Sequence, residues 1–98
     1  MTDVQITNDP EARRYEAHLD GQPVGYASHW EDEPGRLVIL HVEVHPSCEG
    51  RGIGTALVEH ALADARSRGL TVVPRCPFAA AVARDRPEYA DVLSTGYS

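Results

Sequence analysis

Lysine is absent from this sequence, and all nine basic side chains are arginine. A phosphate-binding P-loop requires a Gly-Lys-Ser/Thr step, so that class of nucleotide site is excluded. Cysteine is scarce, with only Cys48 and Cys76. Two cysteines do not make a disulfide framework in a chain without an export signal, so both read as free thiols. Such a signal is not visible: Met1–Gln5 has neither a basic nor an apolar segment, and a cytoplasmic protein is expected. Long apolar runs are missing too. The longest, Phe78–Ala83, falls far short of the roughly 20 residues of a membrane-spanning helix. Positive charge is also short. Nine basic against fifteen acidic residues give −6, which disfavours general binding to nucleic acid.

What is present fits one soluble globular domain. Of 98 residues, 42% are apolar and 24% charged, and a chain half this long would struggle to bury a sufficient core. No repeat, low-complexity tract or linker divides it. The charge is uneven: residues 1–49 hold three Arg against ten acidic residues, and residues 50–98 hold six Arg against five. An anion site therefore belongs to the second half.

Local pattern predicts the elements. Val4–Thr7 is a short β-prone start, closed by Asn8-Asp9-Pro10. Arg14–Leu19 alternates as a half-buried strand does, Asp20-Gly21 marks a hairpin turn, and Val24–Trp30 returns. Glu31–Gly35 reads as a charged turn. Leu37–Val44, rich in branched residues, is the expected central strand. Spacing then turns helical over Gly52–Gly69, with Ile53, Leu57, Ala61 and Ala65 on one face, flanked by Val58 and Leu62. Gly69 stands where a C-terminal cap belongs, after Arg66 and Arg68, whose charges suit that end of the helix. Leu70–Val73 is a short buried strand stopped by Pro74, Phe78–Arg84 a helix, and Pro87-Glu88-Tyr89 opens a last turn. The expected fold is α/β (α+β): an antiparallel β-meander, then a βαβ unit with a parallel strand pair and a C-terminal helix.

The junction from strand to helix carries the clearest chemistry. Cys48-Glu49-Gly50-Arg51-Gly52-Ile53-Gly54-Thr55 runs into the helix through alternate glycines. A helix N-terminus offers free N–H groups and a positive dipole end to phosphate. Glycines let a pyrophosphate approach the backbone, and Arg51 adds a full charge. The plain alternative is a glycine-rich turn before an ordinary helix. A Rossmann fingerprint does not fit, since the glycine spacing is wrong and the chain lacks room for a doubly wound sheet.

Glu49-Gly50-Arg51-Gly52-Ile53-Gly54 resembles the pyrophosphate loop of the GNAT superfamily of N-acetyltransferases, Arg/Gln-x-x-Gly-x-Gly/Ala, with Gly52 and Gly54 on its two small positions. Two further segments resemble its compact branch of single-domain proteins of about a hundred residues. His41-Val42-Glu43-Val44 is similar to that branch's His-Thr-Glu-Val segment. Cys76-Pro77-Phe78 and Pro87-Glu88-Tyr89 are similar to its Cys-x-Phe/Tyr … Pro-Glu-Tyr tail. The likeness covers roughly residues 4–93 in the same order. Glu49 departs from the preferred Arg or Gln, and Val82 stands where the branch often has Tyr, which removes a phenol from the leaving-group side.

The resemblance implies acetyl transfer from acetyl-CoA to an amine of a small molecule, peptide or protein. It places the cofactor on Val42, Val44, Glu49, Gly50, Arg51, Gly52, Ile53, Gly54 and Thr55. Backbone N–H groups of Val42–Val44 would polarise the thioester carbonyl. The catalytic candidates are His41, as a base of suitable pKa, and Cys76, which could meet His41 at the strand ends. Such a pair could act as base and acid, or Cys76 could carry acetyl as a thioester. Against these stand a structural strand histidine and a buried, inert thiol. Glu43 is assigned a structural or water-holding part. No metal is expected, because His41 and His45 would be roughly 13 Å apart along a strand. His18, His29 and His60 read as solvated. Tyr26 and Trp30 are core or rim, and Arg75, Arg84 and Arg86 are a solvated rim or a contact to the CoA 3′-phosphate.

Three functions remain: an N-acetyltransferase, a non-catalytic CoA or acyl-CoA module that keeps the loop, and an interaction protein in which the loop is only a turn. CoA binding separates the third from the others, and turnover separates the first from the second. The turn at Asn8-Asp9-Pro10, where longer members of the superfamily carry helices, predicts an open acceptor face. The acidic first half is where a cationic amine would approach.

Overall fold

A computed structural model of the chain describes residues 4–31 and 35–93. Strands β1 (Gln5–Asp9), β2 (Arg14–Leu19), β3 (Gln22–Glu31) and β4 (Arg36–Val44) form an antiparallel meander. Helix α1 (Ile53–Ser67) then crosses back to β5 (Thr71–Pro74), which pairs parallel to β4 in a sheet ordered β1-β2-β3-β4-β5. Helix α2 (Pro77–Arg84) and a 3-10 segment (Pro87–Val92) follow. This is the expected meander followed by a βαβ unit. Among the described residues no helix is long and apolar enough to cross a membrane.

The local rules account for most boundaries. Asp20 and Gly21 both take positive φ, 51° and 80°, as the two-residue hairpin turn requires. Gly69, at φ 71°, ends α1 in a Schellman motif in which Leu70 N–H donates to Ala65 O and Gly69 N–H to Arg66 O. The first turn differs from expectation. Asn8 and Asp9 belong to β1, because Asp9 pairs with Arg14 and its carboxylate accepts the Ala12 N–H at 3.2 Å. The turn therefore falls on residues 10–13. The middle of the expected Glu31–Gly35 turn, residues 32–34, lies outside the described residues.

One face of the sheet is covered. Tyr15, Ala17, Ala27, Leu37 and Ile39 pack against Ile53, Leu57, Val58, Ala61, Leu62 and Ala65 of α1, the face its spacing predicts. From α2 come Ala79, Val82 and Ala83. Fully buried Tyr15 donates its hydroxyl to Asp64 Oδ2 at 2.7 Å, and burial, then Asp64, push the phenol well up. Arg68 joins Asp64 at 3.2 Å to Glu31 at 2.9 Å and so ties the end of α1 to β3.

His29 is a correction. It was expected in solvent, yet alternation along β3 places it on the core face with Ala27, where it is 6% exposed and 4.6 Å from the Tyr15 ring. His18 and His60 are half-buried rather than solvated, and His60 meets Tyr15 edge-on. Among the described residues neither ring nitrogen of His29 has a hydrogen-bond partner. Burial lowers its pKa below 6.5, with Arg68 assisting and Glu31 and Asp64 opposing. Between that depressed value and 6.5 the unfolded chain binds more protons, so stability rises with pH across this window. Acidification through the window should destabilise the protein. His29→Leu should flatten that part of the profile, read by urea denaturation at about pH 5.5 and about pH 8. An unchanged slope would assign the titration to another group.

Candidate functional site

The site is built where β4 leaves its neighbours. On the β3 side, His29 pairs with Ile39 and Ser28 with His41, so Leu40 is an extra residue in β4. Such a bulge resets the alternation. Ile39 and Val42, three apart, consequently both face the helices, as does Val44. On the β5 side, parallel pairing ends at Ile39 with Pro74. The Arg75 and Cys76 N–H groups both donate to Ile39 O, at 3.0 and 3.3 Å, and the chain then turns into α2.

Beyond that point β4 has no partner on this side among the described residues. His45 N–H donates to Val24 O of β3 at 2.7 Å. Alternation of an antiparallel ladder then directs Glu43 and His41 to β3, and turns the N–H and C=O groups of Val42 and Val44 toward the gap. The gap opens into a cavity of about 520 Å³. Its walls are Val42 and Val44, the loop residues Cys48–Gly50, the start of α1 from Gly52 to Thr55, and Phe78 of α2.

The loop end of this cavity suits an anion. Gly50 and Gly52 have φ of 83° and 78°, which side chains with a Cβ rarely adopt, and nothing among the described residues lies within 4 Å of where either Cβ would stand. Gly52 is the N-cap of α1 without a side-chain hydrogen bond, and the first turn holds no acidic residue. The first intrahelical bond runs from Ala56 N–H to Gly52 O at 2.9 Å. The N–H groups of Ile53, Gly54 and Thr55 thus precede the helical ladder and carry the positive end of its dipole.

A model of the GCN5-related N-acetyl-transferase family matches residues 14–92. The chain belongs to this family. A GCN5-like putative N-acetyltransferase from Staphylococcus aureus, solved in solution by NMR, matches with a TM-score of 0.73 at 19% identity over 96% of this chain and 91% of that one. A GNAT family N-acetyltransferase from Escherichia coli, crystallised in complex with CoA, matches at 0.60 and 14% identity over 74% and 61%. At such identities these likenesses establish the fold. A curated relative, the chloroplastic serotonin N-acetyltransferase 2 of Oryza sativa subsp. japonica, is 39% identical over 51 residues, 52% of this chain. Those residues make up 26% of the relative, so the chain spans about a quarter of its length.

Within this GNAT fold, eight of the nine residues expected at the cofactor line the cavity, and Arg51 stands outside its walls on the exposed loop. Cys48 and Phe78 complete the walls and were not foreseen. Cys48 is buried, with Ser47 Oγ 3.7 Å from its sulfur, and Ser47 Oγ is 2.8 Å from His45 Nδ1. Phe78 is 44% exposed, a large ring at the surface beside the cavity, and in the sequence it stands in the Cys76-Pro77-Phe78 motif without an assigned role.

His41 and Cys76 are not brought together. Cys76, the N-cap of α2, is buried in the core cluster on the helix side. His41 alternates with Val42 and lies on the opposite, helix-free face, where its Nε2 is 2.7 Å from Glu43 Oε1. Neither lines the cavity.

Two glycines at the site predict different tolerances. A Cβ on Gly25, opposite Val44, would stand 2.7 Å from the Glu43 carbonyl oxygen, whereas one on Gly54 would press on the Phe78 ring at 3.1 Å and meet Val44 Cγ2 at an ordinary 3.6 Å. Gly25→Ala should destabilise by roughly 1–3 kcal/mol, since a strand backbone must shift. Gly54→Ala should change stability by less than about 1 kcal/mol, helix propensity offsetting the displaced ring. Urea denaturation of the two variants decides it, and equal losses would mean that Phe78 is held as firmly as the strand.

Proposed function

We propose that this protein transfers acetyl from acetyl-CoA to an amine. The observation that carries the reading is the gap between β4 and α2, with strand amides along one wall that lack a partner among the described residues and the uncapped start of α1 at its end. The residues fit the cofactor, because Gly50 and Gly52 leave their Cβ positions open and no acidic side chain competes in the first turn of α1. Glu49 is the exception, a carboxylate in the cavity wall.

Acetyl-CoA supplies an activated acyl group and a thiolate leaving group. The amides of Ile53, Gly54 and Thr55 hold the pyrophosphate, with Arg51 adding charge from the loop. Val42 and Val44 offer backbone N–H donors to a carbonyl oxygen in the gap. His41 is the general base. With Nε2–H donated to Glu43, Nδ1 remains as the acceptor for the amine proton, and Glu43 holds the ring in that tautomer. Cys76, at the point where β4 and β5 part, is the candidate proton donor to the leaving thiolate. It works separately from His41, being on the other face of the sheet.

The test is release of free thiol from acetyl-CoA with a panel of amines. His41→Ala should lower kcat by about 10²–10⁴ while leaving CoA affinity unchanged, since His41 lies outside the cavity. Gly52→Val should weaken CoA binding in calorimetry, because its side chain would strain the loop and enter the cradle. CoA binding without thiol release for any amine would identify a binding module instead of a transferase.

A further inference from the structure

The sheet face opposite the helices carries a second cavity of about 260 Å³. Cross-strand register sets its chemistry. Glu16 pairs with Tyr26 and Tyr26 with Glu43, forming one row across β2, β3 and β4. Arg14, Ser28 and His41 form the next row. Both rows alternate with Tyr15, Ala17, Ala27 and Val42, which face the helices. The cavity takes in Arg14, Glu16, Tyr26, Glu43 and His45, with Pro23, Val24 and Pro46 as its apolar part, so two carboxylates face one guanidinium and one imidazole.

This cavity is furnished for a cation. Two carboxylates flank an aromatic ring whose face attracts positive charge. The ring already holds one: the Arg14 guanidinium lies 5.1 Å from its centroid while its Nε donates to Glu16 Oε2 at 2.7 Å. The cavity adjoins the proposed base as well, since Glu43 accepts from His41 and the Tyr26 ring is 6.2 Å from the imidazole. The two rows are two residues apart along β4, about 7 Å, a span that four methylenes bridge.

We propose that this cavity is the specificity pocket for the acceptor, and that the acceptor is a small aliphatic amine carrying a second positive charge. The inference rests on the acetyltransferase reading for what happens to the first amine. The reacting nitrogen lies at His41, and the second cation lies against Tyr26 between Glu16 and Glu43, where it competes with Arg14.

Binding can be tested apart from chemistry. 1,4-Diaminobutane and, as the singly charged control, butylamine are titrated into the protein at low salt without acetyl-CoA, following the backbone amides of Gly25, Tyr26 and Glu43 by NMR. The diamine should shift these signals with an affinity at least about tenfold above that of butylamine, as one added charge contact predicts. Glu16→Gln should abolish that preference and Arg14→Gln should strengthen it. Tyr26→Leu serves as the second variant, and folding of each is checked by circular dichroism. Equal affinities for the two amines, shifts confined to other residues, or an unchanged preference in Glu16→Gln would overturn the pocket. Diamine-selective shifts without acetyl transfer to any amine would uphold the pocket and overturn the transferase reading. Transfer with equal kcat/KM for both amines would do the reverse.

Discussion

The site proposed for acetyl transfer depends on the parting of two parallel strands. β4 and β5 pair only as far as Ile39 and Pro74. Proline has no N–H to continue a ladder, and the Ile39 carbonyl closes the pairing by accepting the next two amides at once. Had β5 continued, the Val42 and Val44 backbone groups would be spent on it and the space between β4 and α2 would be filled. The interrupted ladder leaves hydrogen-bonding groups facing a cavity, an arrangement that suits a polar, extended ligand.

The bulge at Leu40 makes that gap useful. It brings Val42 and Val44 onto the helix side, in line with the start of α1, and sends His41 and Glu43 to the other side. One strand thereby has the wall of the gap on one face and His41, the base proposed above, on the other. The charge distribution follows the same division. The glycine loop and α1 begin the half of the chain richer in arginine, while the acidic half supplies Glu16 and Glu43 to the helix-free face. Opposite faces of one sheet are thus suited to an anion and to a cation.

The loop itself is unfavourable taken alone. A glycine N-cap such as Gly52 forgoes roughly a few tenths of a kcal/mol relative to Ser, Thr, Asp or Asn. Gly50 and Gly52 further restrict which residues the turn accepts. Such local deficits persist where the surrounding packing enforces them, here by burying Ile53, Leu57 and Val58 immediately after the loop. A ligand anion would satisfy what the chain leaves open.

By itself the sequence determined the elements whose signal is local. β2 runs over the alternating residues, the Asp20-Gly21 turn and the Gly69 cap take the positive φ their chemistry favours, and α1 buries the face its spacing marks. The family likeness was legible for the same reason, being carried by short contiguous motifs around the loop and the tail. Only the tertiary structure decided which side chains meet. A bulge leaves no mark in a run such as Leu37–Val44, so the reversal of faces at Leu40 was hidden, and with it the separation of His41 from Cys76. The burial of His29 and the places of Cys48 and Phe78 in the cavity wall likewise follow from register and helix packing. Periodicity reports how a residue stands relative to its own strand or helix. What lies across from it is set by contacts between segments distant in the chain, and the chemistry of this site is made of those contacts.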